Sequence, residues 1–433
     1  HTVRNYKTTE MAAQNVPDWL SAEFLQSALQ SDQEDYPEIV ITKLQLEPAV
    51  PEGNNYASNL FRAKLQYKTQ DNTEHSTSII VKTMKSDYKE NIGAYIDDAF
   101  QREPKYYNEF ISEARKLCKF NIVPKHYKSS NTNCLILEDL SVSGFQMVDR
   151  HKLLDLNHCQ LYIKASSKLH ALSVAVHKRK PELIESLGAD NPALAESNMQ
   201  MFIVILKCSL ESMSAFLEDK PKYKECLDVI KELRDNQTSW HVFQKETPQV
   251  KALTQGDPWC TNMMFKYNSA GEVVDVKLID FQTLKFISPV EEFLTFILAS
   301  AHPSVKETSL DDLYHLYCDS LNENLEQLGC PERLSYEALK TEVASLSPLM
   351  ILHACMLVPI VLADGPADFG NYFSNDVLNE PLKERAFHKL YEGKHFNQYI
   401  LQILDQLVKQ SVFSTTKERM KNSCYYIPTN ISS

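Results

Sequence analysis

One short stretch interrupts a chain that is otherwise helical over its last two thirds. Met263–Tyr267 and Val273–Ile279 alternate like strands, and Asn268-Ser269-Ala270-Gly271 between them is a hairpin signature. It is a β-rich island among helices. Those helices read as Leu156–His177 and then roughly 194–218, 221–238, 290–301, 308–328, 335–346 and 380–412, from apolar spacing of three to four residues. The first third reads differently. Pro17–Leu29 is a short helix. In Leu60–Tyr67 the apolar residues Phe61, Ala63, Leu65 and Tyr67 alternate with Arg62, Lys64 and Gln66. That period of two is a half-buried strand. Ser78–Met84 is its neighbour, with Glu74-His75 expected in the polar turn between them. Phe100–Leu117 has helical spacing, and Cys134–Leu137 is a short apolar strand ending at Glu138-Asp139. A β-rich first third, a connector and a helical remainder predict an α+β chain of two lobes with a cleft between them.

Charge and cysteine usage narrow the function. The 433 residues carry a net charge of −12, and no basic run offers a nucleic-acid footprint. Ten scattered cysteines without a Cys-x-x-Cys pair favour neither a zinc site nor a disulfide scaffold, and read as buried thiols in a reducing compartment. The most apolar stretch, Leu349–Ala363, is shorter than the ~20 residues of a membrane span and contains Pro359. It reads as a buried helix interrupted near the proline. No secretory leader is evident, so the expected location is the cytoplasm, without nucleic-acid or membrane partners. Met11 reads as a natural start, with residues 1–10 an extension.

The chemistry-bearing residues bracket the hairpin. Gln255-Gly256-Asp257-Pro258-Trp259-Cys260-Thr261-Asn262 precedes it, and Leu278-Ile279-Asp280-Phe281-Gln282 closes it. Phosphoryl transfer needs a carboxylate for the acceptor's proton and oxygen ligands that hold Mg²⁺ against phosphates. Asp257 and Asn262 have the Asp-x₄-Asn spacing of a kinase catalytic loop, in which the Asp is the base and the Asn a metal ligand. Asp280, at the end of an apolar strand, matches the second metal ligand. Singly, Asp257 reads as a turn residue and Asp280 as a helix cap. Bracketing one hairpin, they read as a reactive pair.

With these motifs in register, the chain resembles the insect ecdysteroid kinase-like family, relatives of choline kinases and aminoglycoside phosphotransferases. The resemblance adds Gly53-Asn54-Asn55-Tyr56-Ala57-Ser58 as a nucleotide-covering turn and Ile80-Val81-Lys82 as the lysine strand. It also adds Phe100-Gln101-Arg102-Glu103 with Tyr107 as the first-lobe helix, and Leu137-Glu138-Asp139-Leu140 as the lobe connector. Lys168-Leu169-His170-Ala171-Leu172 resembles its second-lobe helix. It implies a two-lobed, protein-kinase-like fold with a nucleotide-binding lobe at 11–140. A helical lobe at 141–433 would carry the hairpin and acceptor pocket. It implies that Gly53, Asn54, Asn55, Tyr56 and Ser58 cover ATP, and that Lys82, paired with Glu103, grips the α and β phosphates. Glu138 and Leu140 would lend backbone groups to the adenine. The implied acceptor is a hydroxyl of an ecdysteroid or a hydroxylated xenobiotic, for inactivation or detoxification. Met201–Leu206 and Leu349–Leu362 could wall its pocket, although such stretches more often are plain core. His170 reads as a satisfied core histidine.

Two departures from the family pattern matter. Gln255 stands where the family carries His, and Glu292 where it carries the Asp that braces the catalytic loop. Glutamine retains a donor and an acceptor, so a retuned loop is expected. The alternative reading is a catalytically weakened pseudokinase that binds a steroid or a protein partner.

Overall fold

The computed structural model describes residues 16–32, 34–36, 38–49, 58–84, 90–236, 241–243, 247–366, 369–374 and 376–422. By internal contacts the chain forms two compact units, His1–Gln146 with Met263–Thr283, and Met147–Asn262 with Leu284–Ser433. The hairpin, counted with the helical part from sequence, thus groups with the sheet-bearing unit.

The first unit is built on an antiparallel five-stranded sheet. Its strands are β1 (Ile39–Pro48), β2 (Ser58–Thr69), β3 (Glu74–Met84), β4 (His126–Tyr127) and β5 (Cys134–Glu138), in the spatial order β1-β2-β3-β5-β4. In β2, Phe61, Ala63 and Leu65 are buried and Lys64 and Gln66 exposed, as the alternation requires. Their face packs with Ile79 and Val81 of β3 and with Ala22, Leu25 and Leu29 of the helix Ala22–Leu29. The strand β1 also alternates, with a change of phase at a bulge between Ile41 and Lys43, and went unread in sequence. Glu74 and His75 are not in a turn: they pair with Lys68 and Tyr67. The turn lies at 70–73, where Thr69 N–H donates to Thr73 O at 3.2 Å and Asn72 takes a φ of 64°. The strands Met263–Tyr267 and Val273–Leu278 form the expected hairpin, and Phe145–Gln146 adds a third strand. Asn268 Oδ1 accepts from the N–H groups of Ala270 and Glu272 at 3.0 and 2.9 Å, and Gly271 takes the positive φ, 79°, that the turn needs.

The helix Glu90–Lys105 contains Pro104 and runs into a π-helical turn, Tyr106–Ile111, then the helix Ser112–Leu117. Proline has no N–H for the carbonyl one turn back, so the α ladder cannot pass it intact. Sequence periodicity read this as one regular helix.

Among the described residues the second unit is helical, with one short antiparallel strand pair, Ala252–Thr254 with Lys285–Ile287. The helices Leu156–His177, Ala195–Leu217, Pro289–Ser300, Leu310–Gln327 and Tyr336–Ser345 fall where periodicity put them. The buried helix Ser347–Val361 is also present, but it runs through Pro359 without the interruption expected there. The span 380–412 is not one helix. Gly393, with a ψ of 141°, separates short turns from the helix Lys394–Lys409. Ala195–Leu217 is long and apolar enough to cross a membrane, although its second half is buried in this unit. The described cysteines are all free, and all but Cys118 are buried. The class is α+β, with a small antiparallel-sheet part and a larger helical part, consistent with a two-lobed kinase-like fold.

Candidate active site

In the first unit, the alternation of β3 turns Ile79 and Val81 into the core and Lys82 to the other face. There Lys82 Nζ lies 2.6 Å from Glu103 Oε2 and 3.2 Å from Asp280 Oδ1. The lysine and Glu103 side chains are 7% and 2% exposed, whereas Asp280 is 37% exposed. Burial alone would lower the Lys82 pKa, but the carboxylates of Asp280 and Glu103 outweigh it and hold it above the ordinary lysine range. Lys82 is therefore a fixed cation with an acidic residue on the more open side. Glu103 Oε1 also accepts the Phe281 N–H at 3.0 Å, so one carboxylate ties β3 to the segment after the hairpin. The Phe281 ring stacks on Tyr106, in the π turn, with centroids 4.2 Å apart. Asp280 itself has a φ of 62°, a left-handed conformation that Asp tolerates better than most residues.

The connector is held by a residue to which sequence assigned no role. Asp139 is buried, and its carboxylate accepts from Arg62 Nε and Ser78 Oγ, both at 2.7 Å, and from Ser141. Burial raises its pKa, but Arg62, Ser141 and Ser78 together pull it below the usual range. Glu138 N–H is spent on the Lys125 carbonyl at 2.9 Å. The Leu140 carbonyl accepts from Ser143 and Phe145 at 3.1 and 3.0 Å, so what Leu140 can offer a base edge is its N–H. Ser58 is buried at the start of β2. Gly53, Asn54, Asn55 and Tyr56 lie outside the described residues.

In the second unit, the segment Gln255–Asn262 folds back on itself. Trp259 N–H donates to Asp257 O at 3.0 Å and Asn262 N–H to Trp259 O at 2.8 Å. Asn262 Nδ2 donates to both Asp257 O and Asp257 Oδ2, at 3.0 and 3.1 Å. With its nitrogen committed there, the Asn262 amide has its oxygen to give a cation. Gln255 is buried, and its Nε2 donates to Asn262 O at a long 3.4 Å. Gly256, at a φ of 83°, adopts a conformation costly to other residues. Its N–H donates to Glu292 Oε2 at 3.0 Å. The other Glu292 oxygen accepts from Tyr162 OH at 3.2 Å and His170 Nε2 at 3.0 Å. His170 Nδ1 meets Tyr317 OH at 2.9 Å. The long carboxylate at 292 thus braces the loop, and His170 is a satisfied core histidine. Sequence had marked both residues but had not joined them.

Among the described residues no three His, Cys, Asp or Glu side chains cluster to hold a metal unaided. Carboxylate and amide oxygens, such as those of Asp280 and Asn262, are the donor type Mg²⁺ takes, one or two from protein with water and phosphate completing its shell. A buried, permanently charged Lys82 likewise suits a phosphate anion. The first unit thus holds a buried, paired cation, and the second a carboxylate oriented by an amide.

No curated protein matches the chain. The family model described as ecdysteroid kinase-like family matches residues 52–330, well over half of the sequence, and spans every predicted site residue. A kinase-like phosphotransferase class acting on small molecules follows at that coarse level. The motifs, the fold class and this match agree, and the chain belongs to the ecdysteroid kinase-like family.

Proposed function

We propose that this chain transfers the γ-phosphate of ATP, with Mg²⁺, to a hydroxyl of a small apolar alcohol such as an ecdysteroid or a hydroxylated xenobiotic. The observation that carries the reading is the buried Lys82 cation held between Glu103 and Asp280. When bound, Mg-ATP supplies the phosphoryl group and neutralises the charge on its oxygens. Lys82 Nζ binds phosphate oxygens, and Glu103 keeps that ammonium in place. Asp280 and Asn262 are the oxygen donors toward the cation. The Asp257 carboxylate receives the proton of the acceptor hydroxyl, and Asn262 Nδ2 fixes its orientation. Glu138 and Leu140 present backbone groups to the base. The same reading puts the enzyme in the reducing cytoplasm, in keeping with its free cysteines.

The test has two stages. A thermal shift with Mg-ATP reports nucleotide binding. Transfer to a panel of steroid and polyphenol alcohols then reports chemistry, with Asp257→Asn as control. Loss of the base should lower the rate by about 10²–10⁴. A variant as active as the parent sinks the mechanism. Nucleotide binding without transfer to any acceptor favours the pseudokinase alternative, against which the intact Gly256–Glu292 brace argues.

A further inference from the structure

The second unit contains a cavity of about 350 Å³ that none of the predicted site residues lines. Leu310, Val343 and Val412 give it an apolar floor, and Tyr314, Lys340 and Gln410 bring polar atoms to it. Tyr314 is 3% exposed, and its hydroxyl, which makes no hydrogen bond among the described residues, opens onto the cavity. The Gln410 Oε1 atom is buried without a partner. Lys340 is exposed at the rim, with its Nζ 5.3 Å from the Tyr314 ring centre and 5.8 Å from that of Tyr336. Among the described residues no carboxylate pairs with it.

Two acidic residues also line the cavity, and both are already engaged. Glu307 Oε1 is 3.8 Å from Lys409 Nζ. Asp311 accepts from Tyr336 OH and lies 3.8 Å from His315 Nε2. Besides the hydroxyls of Thr308, Ser347 and Thr415, the groups that can meet a ligand are one cation, one phenol and one amide, above an apolar floor. An amide can turn its N–H edge to an acceptor. A cation held over aromatic faces can still bind an anion at its outer side.

We propose that this cavity is a second binding site, for an amphipathic organic anion: a compact apolar skeleton bearing one carboxylate, sulfonate or phosphate. The anionic group meets Lys340 Nζ and the Tyr314 hydroxyl, and the skeleton covers Leu310, Val343 and Val412. The site stands apart from the phosphotransferase reading and does not depend on it.

Naphthalene-2-sulfonate is the probe, titrated calorimetrically into the full chain, with neutral 2-naphthol as its uncharged counterpart. Saturable one-to-one binding is expected, weakened about tenfold by Lys340→Gln and severalfold by Tyr314→Phe. Lys164→Gln, at an exposed lysine outside the lining, should leave it unchanged. Lys340 is on the surface, so its variant keeps the parent melting temperature. Val343→Trp, which fills the cavity, should abolish binding. No saturable binding, equal affinity for 2-naphthol, or binding that survives both Lys340→Gln and Val343→Trp would overturn the proposal.

Discussion

The Gly256 N–H donates to Glu292 Oε2 at 3.0 Å, so a helix-borne carboxylate holds the backbone immediately before Asp257. The same side chain receives Tyr162 OH and His170 Nε2. Glu292→Ala would strand two buried donors and the half-buried Gly256 N–H at once. Each stranded donor costs about 1–3 kcal/mol, and partial relaxation makes the sum smaller than three full penalties. We expect a loss of roughly 3 kcal/mol in urea unfolding. Glu292→Asp, the family's own residue, should retain most of the stability. If alanine is neutral, the brace is not structural.

Lys82→Met leaves Glu103 and Asp280 without their cation, and Glu103 is almost wholly buried. Removing one partner of a buried pair typically costs about 3–5 kcal/mol. The double variant Lys82→Met with Glu103→Gln should therefore be more stable than Lys82→Met alone, as measured by chemical denaturation. Both should lose the thermal shift with Mg-ATP. An additive double variant would show that the two side chains do not interact.

Lys306 is fully buried, and its Nζ donates to the carbonyls of Ile297 and Leu298 at 3.3 Å. Burial brings its pKa down from 10.5 to about 7. Between those values the unfolded chain carries the proton and the folded chain does not, so stability rises with pH across that window. Below it the full cost of the buried charge is present. Lys306→Met should therefore gain on the order of 3 kcal/mol at pH 6. The gain should vanish by about pH 10, because neutral lysine still donates to the two carbonyls. Melting curves of both proteins across this range should converge or cross. Parallel curves would contradict it.

Asp139 has the opposite sign. Its pKa lies below the ordinary value in the folded chain, so its contribution is complete above the unfolded pKa of about 4 and fades as pH falls. Asp139→Asn should cost about 1–3 kcal/mol at pH 7. That deficit should shrink in acid. Arg62→Met should show the same pH dependence, since Arg62 Nε is bonded to that carboxylate at 2.7 Å.

Local patterns proved legible where one segment decides the outcome. Asn268 through Gly271 fixed the hairpin, and the alternation around Phe61 fixed β2, because each depends on neighbours in sequence. Asp257 and Asn262 do meet, as their spacing implied. Less local features escaped. The partners of Glu292 lie 130 and 122 positions away, and no periodicity reports them. Asp139 read as the end of a strand because its three partners sit on separate segments. The break at Gly393 was lost in a run whose apolar spacing continues on both sides. The span 53–56 lies outside the described residues, so those assignments stand as sequence readings.

The wide turn at Tyr106–Ile111 has a consequence for how this helix tolerates change. A π turn accommodates about one residue more than an α turn, so residues after it are out of phase by roughly 100° with those before it. Glu103 and Phe110, both buried, lie on either side of the start of that offset. Deleting one residue within 106–111 should therefore let the helix close into ordinary α geometry with both flanks still aligned. Deletion a turn earlier, before Glu103, would instead put the start of the helix about 100° out of phase with Glu103 and the π turn.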